Sequence, residues 1–303
     1  MIKLLKQAIA YALPAAFLAL PLPAMAWTHH IDCEDGAPGT LPANQKGTDA
    51  AYWGTNTLYS TEQVGTGKQS CKFSIKQGSE GWPGTGGPLE WGAIFKLPVA
   101  VNVGEELWTR VSVFLPNDFQ IVSNSGMLKF IRLHTRTATT NTGCLDLLMG
   151  DKRIPLWDQL LKRDSYPPYV MSFEGRPRLT MVGTRPTDDP VLGRWETYEV
   201  YVKLDSVSVD NGGMGIVRVW KNNKLISNGT NQVAASDKTG IIDSIYLFTY
   251  WNGTAPADQY AYMDDMIITN ERPANRDANG YAFIGAPIMG GKAPVPPSGV
   301  VVN

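Results

Sequence analysis

The sequence predicts an all-β chain of two antiparallel sheets packed face to face, and three observations predict it. Four β-type runs, divided by Gly/Asn/Ser/Asp-rich breaks, fill residues 193–269. Within them the side chains alternate: Tyr198, Val200, Val202 and Leu204 against Thr197, Glu199, Tyr201 and Lys203, then Ile216, Arg218 and Trp220 against Val217 and Val219. Period two marks strands whose faces see different environments. Strong helical patterns are few, while Gly (30) and Pro (21) are abundant. Four strands cannot bury a core alone, so the earlier half of the chain must supply the opposing sheet. Lys221-Asn222-Asn223-Lys224 has turn chemistry, because Asn tolerates positive φ cheaply, and this makes 215–226 a hairpin.

The order of these runs is G-x-W and a strand, V-x-V-W-x-N-x-K, a strand ending in T-Y-W-N-G, and a strand carrying D-D. It resembles the C-terminal half of concanavalin A-like jelly-roll domains, and is most similar to the lectin-like sandwiches of polysaccharide lyases and their binding-only relatives. The resemblance spans 32–269 and is sharpest over 193–269. It implies a two-sheet antiparallel jelly-roll sandwich whose concave sheet face is a carbohydrate groove. That fold hosts lectins, lyases, glycosidases and structural domains alike, so function rests on a site.

The first segment stands apart. Lys3 and Lys6 precede an apolar run from Ala8 to Leu22, and Ala24-Met25-Ala26 follows. A basic start, an apolar stretch broken by prolines and an A-x-A pattern read as a cleaved signal peptide over 1–26. The product is then exported, periplasmic or secreted, with a sandwich over 27–270 and an extended tail over 271–303. No later stretch is apolar and long enough to span a membrane. Taking Lys3 and Lys6 from the 27 basic residues leaves 25 against 28 acidic ones, a formal charge of −3. A global basic field is absent, so nucleic acid is not an expected partner. A monomer is expected.

The three cysteines are Cys33, Cys71 and Cys144. Export permits one disulfide and one leftover thiol, and Cys33 with Cys71, on two early strand-like segments, is the favoured pair. No C-x-x-C or paired Cys/His spacing points to a metal. His29 and His30 are adjacent and so face opposite ways on a strand. Residues 38–65 read as a surface loop holding Tyr52, Trp53 and Tyr59, and 78–87 as a Gly-rich loop around Trp82. The next strands are 68–76, with Cys71, Phe73 and Ile75 on one face, then 89–95, then 107–115. In the last of these Trp108, Arg110, Ser112 and Phe114 oppose Val111, Val113 and Leu115.

The most informative chemistry lies in 127–136, M-L-K-F-I-R-L-H-T-R. As a strand, it sets Leu128, Phe130, Arg132, His134 and Arg136 on one face, and Met127, Lys129, Ile131, Leu133 and Thr135 on the other. The second face belongs to the core. The first is either a solvated face balanced by carboxylates of neighbouring strands, or a ladder for a polyanionic glycan. Arg gives bidentate anion contacts, so Arg110, Arg132 and Arg136 are the candidate substrate-binding residues. In β-elimination an Arg neutralises the uronate carboxylate, His134 or a tyrosine removes the C5 proton, and a tyrosine protonates the leaving oxygen. The 246–251 run puts Tyr246, Phe248 and Tyr250 on one face, making Tyr246 and Tyr250 the candidate tyrosines beside His134.

The region 143–182 is locally basic and Tyr-rich; it either walls the groove or forms an exposed loop. Met263-Asp264-Asp265-Met266 lies in the last core strand, its aspartates pointing to opposite faces. In similar sandwiches an acid there and a Glu near the first strand hold a structural calcium, which would place Glu34 and Asp265 as ligands; the chemistry itself requires no cofactor. The alginate-lyase motifs R-x-E-x-R, Q-I-H and Y-F-K-A-G-x-Y and the glycosidase motif E-x-D-x-x-E are absent. Two classes stay open: a lyase of acidic, uronate-containing polysaccharide, and a non-catalytic carbohydrate-binding or cell-envelope structural module.

Overall fold

The computed structural model describes residues 25–47, 50–82, 88–121, 128–137, 139–149, 169–174, 189–251 and 253–289. Most of the leader, the centre of the Gly-rich loop, most of the basic middle region and 290–303 lie outside the described residues. The strands are β1 (Thr28–Ile31), β2 (Ala51–Trp53), β3 (Thr57–Ser60), β4 (Ser70–Ile75), β5 (Ala93–Asn102), β6 (Glu106–Phe114), β7 (Leu128–Arg136), β8 (Asn141–Met149), β9 (Tyr169–Phe173), β10 (Trp195–Lys203), β11 (Ile216–Lys221), β12 (Lys224–Gly229), β13 (Ile241–Trp251) and β14 (Gln259–Thr269). They form two antiparallel sheets. One runs β12-β11-β10-β6-β14-β4-β3, with β1 also on β14; the other runs β2-β5-β13-β7-β8-β9. The first is called the outer sheet; the second is called the groove sheet, after the expectation that its open face is the carbohydrate groove.

Alternation sets most of the core. Tyr198, Val200 and Val202 of β10, Leu204 just beyond it, and Phe73 and Ile75 of β4 face inward, as do Ile131 and Leu133 of β7 and Ile245 and Leu247 of β13. The 215–226 hairpin forms, with Asn222 at φ 48° and Asn223 at φ 68°, the two positive values a tight turn needs. Cys33 and Cys71 are bonded, with Cα atoms 5.6 Å apart, and Cys144 is free and buried. The 38–65 stretch is more ordered than a surface loop: it contains β2 and β3, and Trp53 and Tyr59 are buried. Among the described residues, no helix is long and apolar enough to cross a membrane.

Alternation fails where β13, β7 and β8 meet. Between β7 and β8 the register slips at Lys129/Ile131, and between β13 and β7 it slips at Leu247/Tyr250. Each is a β-bulge, an extra residue that turns the next side chain to the other face. Phe130 and Phe248 therefore point inward and are fully buried, 5.0 Å apart, Phe130 also 5.0 Å from Tyr198 and Phe248 5.6 Å from Phe73. This corrects the expectation that Phe130 shares the outward face of Arg132, and Phe248 that of Tyr246 and Tyr250. Phe248 adopts φ 54°, costing about 1–2 kcal/mol for an L side chain; the burial of its ring offsets that. Gly92 permits the bulge: a Cβ there would lie 2.3 Å from the Leu247 carbonyl oxygen.

A third bulge corrects the reading of the paired aspartates. The β14–β6 register slips between Asp264 and Ile267, and Asp265 has φ 47°. Met263 and Met266 both enter the core, so both aspartates turn to the outer side. Asp264 accepts hydrogen bonds from the backbone N–H of Gly65 (3.0 Å), Thr66 (2.8 Å) and Asp265 (2.8 Å). Residues 271–289 then cross the outer sheet. Phe283 stacks on Trp220, and Ala282 and Phe283 form a small second core with Trp108 and Tyr201. The Glu199 carboxylate accepts the Ile284 and Gly285 N–H groups at 2.7 and 3.0 Å, and burial pushes this carboxyl up to about 7.

Phe130→Ala should cost about 3–5 kcal/mol, and Cys33→Ser with Cys71→Ser about 2–5 kcal/mol, each read from urea unfolding. Glu199 is higher in the fold than its ordinary 4.5, so its contribution is fully present below about 4.5 and is lost as pH rises through about 7. Urea midpoints of the native chain should decline across that window, and Glu199→Gln should flatten the decline.

Candidate functional site

The bulges also decide what gathers on the open face of the groove sheet. With Phe130 turned inward, Lys129 lands on the face of Arg132, opposite its expected side. Tyr246 pairs with Arg132, which pairs with Asp146, in one row across β13, β7 and β8. Ser244, His134 and Cys144 form the next row, and Tyr250 with Lys129 the row on the other side.

The Lys129 ammonium lies 5.0 Å from the Tyr250 ring centre. The Arg132 guanidinium carbon is 5.9 Å from the ring centres of both Tyr246 and Tyr250. His134 stacks on Tyr246, centroids 5.3 Å apart and planes 9° from parallel, and Trp82 meets Tyr246 edge-on at 5.5 Å. Three candidates, His134, Tyr246 and Tyr250, thus share one patch with Arg132. Burial pushes the Tyr246 phenol up to about 12, so it keeps its proton in neutral water.

Each cation here has a carboxylate. Arg132 Nε donates to Asp146 Oδ1 at 2.9 Å, and its Nη2 donates to Glu174 Oε2 at 2.9 Å. Lys129 donates to Glu174 Oε1 and stands 3.9 Å from Asp146 Oδ2. Burial opposes the charge on Arg132, but Asp146, Cys144 and Glu174 together outweigh it and hold the guanidinium above its ordinary range. Burial pushes the fully buried Asp146 up to about 7 against the pull of Arg132. Burial would also raise Glu174, yet Arg132 and Lys129 hold it below the usual carboxylate range. Cys144, Asp146 and Glu174 offer ligand atoms within 4.8 Å of one another. Both carboxylates are already paired with cations, and burial, then Asp146, raises the Cys144 thiol, so the trio suits ion pairing and not a metal.

A further bulge, at Ile242/Ser244, supplies Asp243. Its Oδ1 lies 2.8 Å from His134 Nδ1 and its Oδ2 3.0 Å from Arg136 Nε. His134 Nε2 faces Asn141 Oδ1 at 3.2 Å, and the Gly143 N–H donates to that same oxygen at 2.9 Å, fixing it as an acceptor. Arg136, half exposed, lies at the rim.

Other expected residues lie elsewhere. Arg110 is on the outer sheet, sealed beneath 282–285, so it does not line the groove: its Nη1 donates to the Gly285 carbonyl at 2.9 Å and its Nη2 meets Asp265 Oδ1 at 2.7 Å. Asp265 Oδ1 also takes His30 Nε2 at 2.7 Å. A guanidinium and an imidazole on that oxygen do not suit a hard cation, which needs oxygen donors. Glu34, the other expected calcium ligand, accepts from the Lys68 and Gln69 N–H groups at 2.7 and 3.1 Å. Reading the sequence missed Lys129, Asp146, Glu174, Asp243 and Trp82. Of these only Trp82 carried a signal, as an aromatic residue in a Gly-rich loop.

No family model matches the chain, and no curated protein matches it in sequence. Solved structures do match in shape. Alginate lyase Aly36B is 14% identical, with a TM-score of 0.51, covering 81% of this chain and 97% of its own. A double mutant of that enzyme in complex with an alginate trisaccharide is 13% identical, with a TM-score of 0.51 over 81% of this chain and 98% of its own. At such identities the likeness speaks for the fold. The chain has the concanavalin A-like jelly-roll sandwich fold that polysaccharide lyases share.

Proposed function

We propose that this chain is an exported lyase of acidic, uronate-containing polysaccharide, acting on the open face of the groove sheet. The observation that carries the reading is the gathering of His134, Tyr246, Tyr250, Arg132 and Lys129 on one patch of β7 and β13. The shared fold with an alginate lyase supports the same substrate class, and the Cys33–Cys71 bond suits an oxidising compartment.

In this reading Lys129 and Arg132 bind the uronate carboxylate and stabilise the negative charge that builds beside it as the C5 proton leaves. Tyr250, reacting as its phenolate beside the Lys129 ammonium, takes that proton and becomes the neutral phenol. The electron pair forms the C4=C5 double bond, the C4–O bond breaks, and Tyr246, which keeps its proton, donates it to the departing oxygen. His134, stacked on Tyr246 and tied to Asp243, positions that ring. Arg136 meets a neighbouring carboxylate at the rim. No metal enters any step.

A second reading, a glycan-binding module without chemistry, is favoured by one observation: each of the four basic side chains already meets a protein carboxylate.

The mature chain, mixed with alginate, glucuronan, pectate and glycosaminoglycans, should generate the ultraviolet absorbance of an unsaturated uronate with at least one of them. Tyr250→Phe should reduce that rate by roughly 10²–10⁴-fold, and Arg132→Ala should abolish it. A flat trace together with retarded migration in a gel containing one of these glycans would replace the lyase with the binding module.

A further inference from the structure

The two carboxylates that face Lys129 and Arg132 are not equivalent. Asp146 is fully buried and has nowhere to go. Glu174 is the first residue after β9, and its side chain keeps 27% of its surface exposed. Its backbone is pinned by an N–H donated to the Cys144 carbonyl at 2.8 Å. Gly143 makes room for it: a Cβ at 143, where φ is 94°, would stand 2.7 Å from the Glu174 Cβ. Each Glu174 oxygen meets a different cation, Oε1 the Lys129 ammonium and Oε2 the Arg132 guanidinium. A sugar carboxylate held between two cations would use the same arrangement.

The charge count makes this consequential. With Asp146 and Glu174 both ionised, Lys129 and Arg132 are fully neutralised, which leaves no charge for an anionic ligand. With the Glu174 side chain swung outward, Asp146 still holds Arg132 Nε at 2.9 Å and stays 3.9 Å from Lys129. The patch then carries one net positive charge, which one uronate carboxylate neutralises. A neutral sugar has no charge to exchange for that of Glu174.

We propose that Glu174 is a built-in stand-in for the substrate carboxylate, which an acidic sugar must displace from Lys129 and Arg132. It thereby sets both the affinity of the groove and its selectivity for carboxylated sugars. The proposal rests on the groove reading above.

The test compares the native chain with Glu174→Gln, which keeps the shape and removes the charge. Binding of an alginate tetrasaccharide is measured by calorimetry, a neutral cello-tetrasaccharide serves as control, and product formation is recorded in parallel. The variant should bind the acidic sugar on the order of tenfold more tightly, with KM falling alongside and the neutral control unchanged. If Glu174→Gln does not fold, Glu174→Asp, too short to bridge both cations, should shift binding in the same direction. Equal or weaker binding by a folded variant overturns the proposal and makes Glu174 a structural partner of the two cations. Product from the native chain without tighter binding by the variant overturns this proposal alone. Tighter binding with no product from either chain overturns the lyase alone, and binding by neither overturns both.

Discussion

Phe130 and Phe248 meet at 5.0 Å in the middle of the sandwich, and the site depends on how they get there. Both sit on neighbouring strands of the groove sheet at positions where plain alternation would face them outward. A bulge on each strand turns them in, where they span to Tyr198 and Phe73 of the outer sheet. The slip between β7 and β8 also carries Lys129 onto the face of Arg132, while Tyr250 keeps the face that alternation gives it. Packing of Phe130 and placement of Lys129 are thus one event: that ring could not return to the surface without withdrawing the cation from the patch.

Charge is handled alike on both sheets. On the groove sheet Arg132 and Lys129 are matched by Asp146 and Glu174; on the outer sheet Arg110 is matched by Asp265, beside the buried Glu199. Removing a charge from water costs several kcal/mol unless a partner stands close by, so buried cations bring their carboxylates with them. The two sheets differ in what lies above the charges. On the outer sheet 282–285 seals Arg110, and its pairs are structural. On the groove sheet Glu174 and Asp243 keep part of their surface exposed.

Much of the fold was legible in the sequence because burial writes itself into alternation. The β10 run, the Asn-Asn hairpin and the Cys71/Phe73/Ile75 face of β4 all follow that rule, and the structure keeps them. The site was legible only in its central members, Arg132, His134, Tyr246 and Tyr250, which lie on the face that alternation gives them. Arg110 followed the same rule but belongs to the other sheet, and a strand's own pattern does not say which sheet it joins. The carboxylates were illegible for a related reason. Asp146, Glu174 and Asp243 come from three different segments and become neighbours only through strand pairing.

The sequence by itself determined an all-β chain, the inward face of most strands and a stretch in which Arg, His and Tyr are concentrated, and it favoured Cys33 with Cys71 without fixing the pair. These are local properties, set by side-chain chemistry at a period of two residues. Tertiary structure alone decided where that period breaks, which carboxylate meets which cation, and which face a folded-back segment covers. A bulge is chosen by the fit of two aromatic rings against the opposite sheet, and an ion pair by the distance between strands far apart in the chain. Neither quantity exists until the two sheets are packed together.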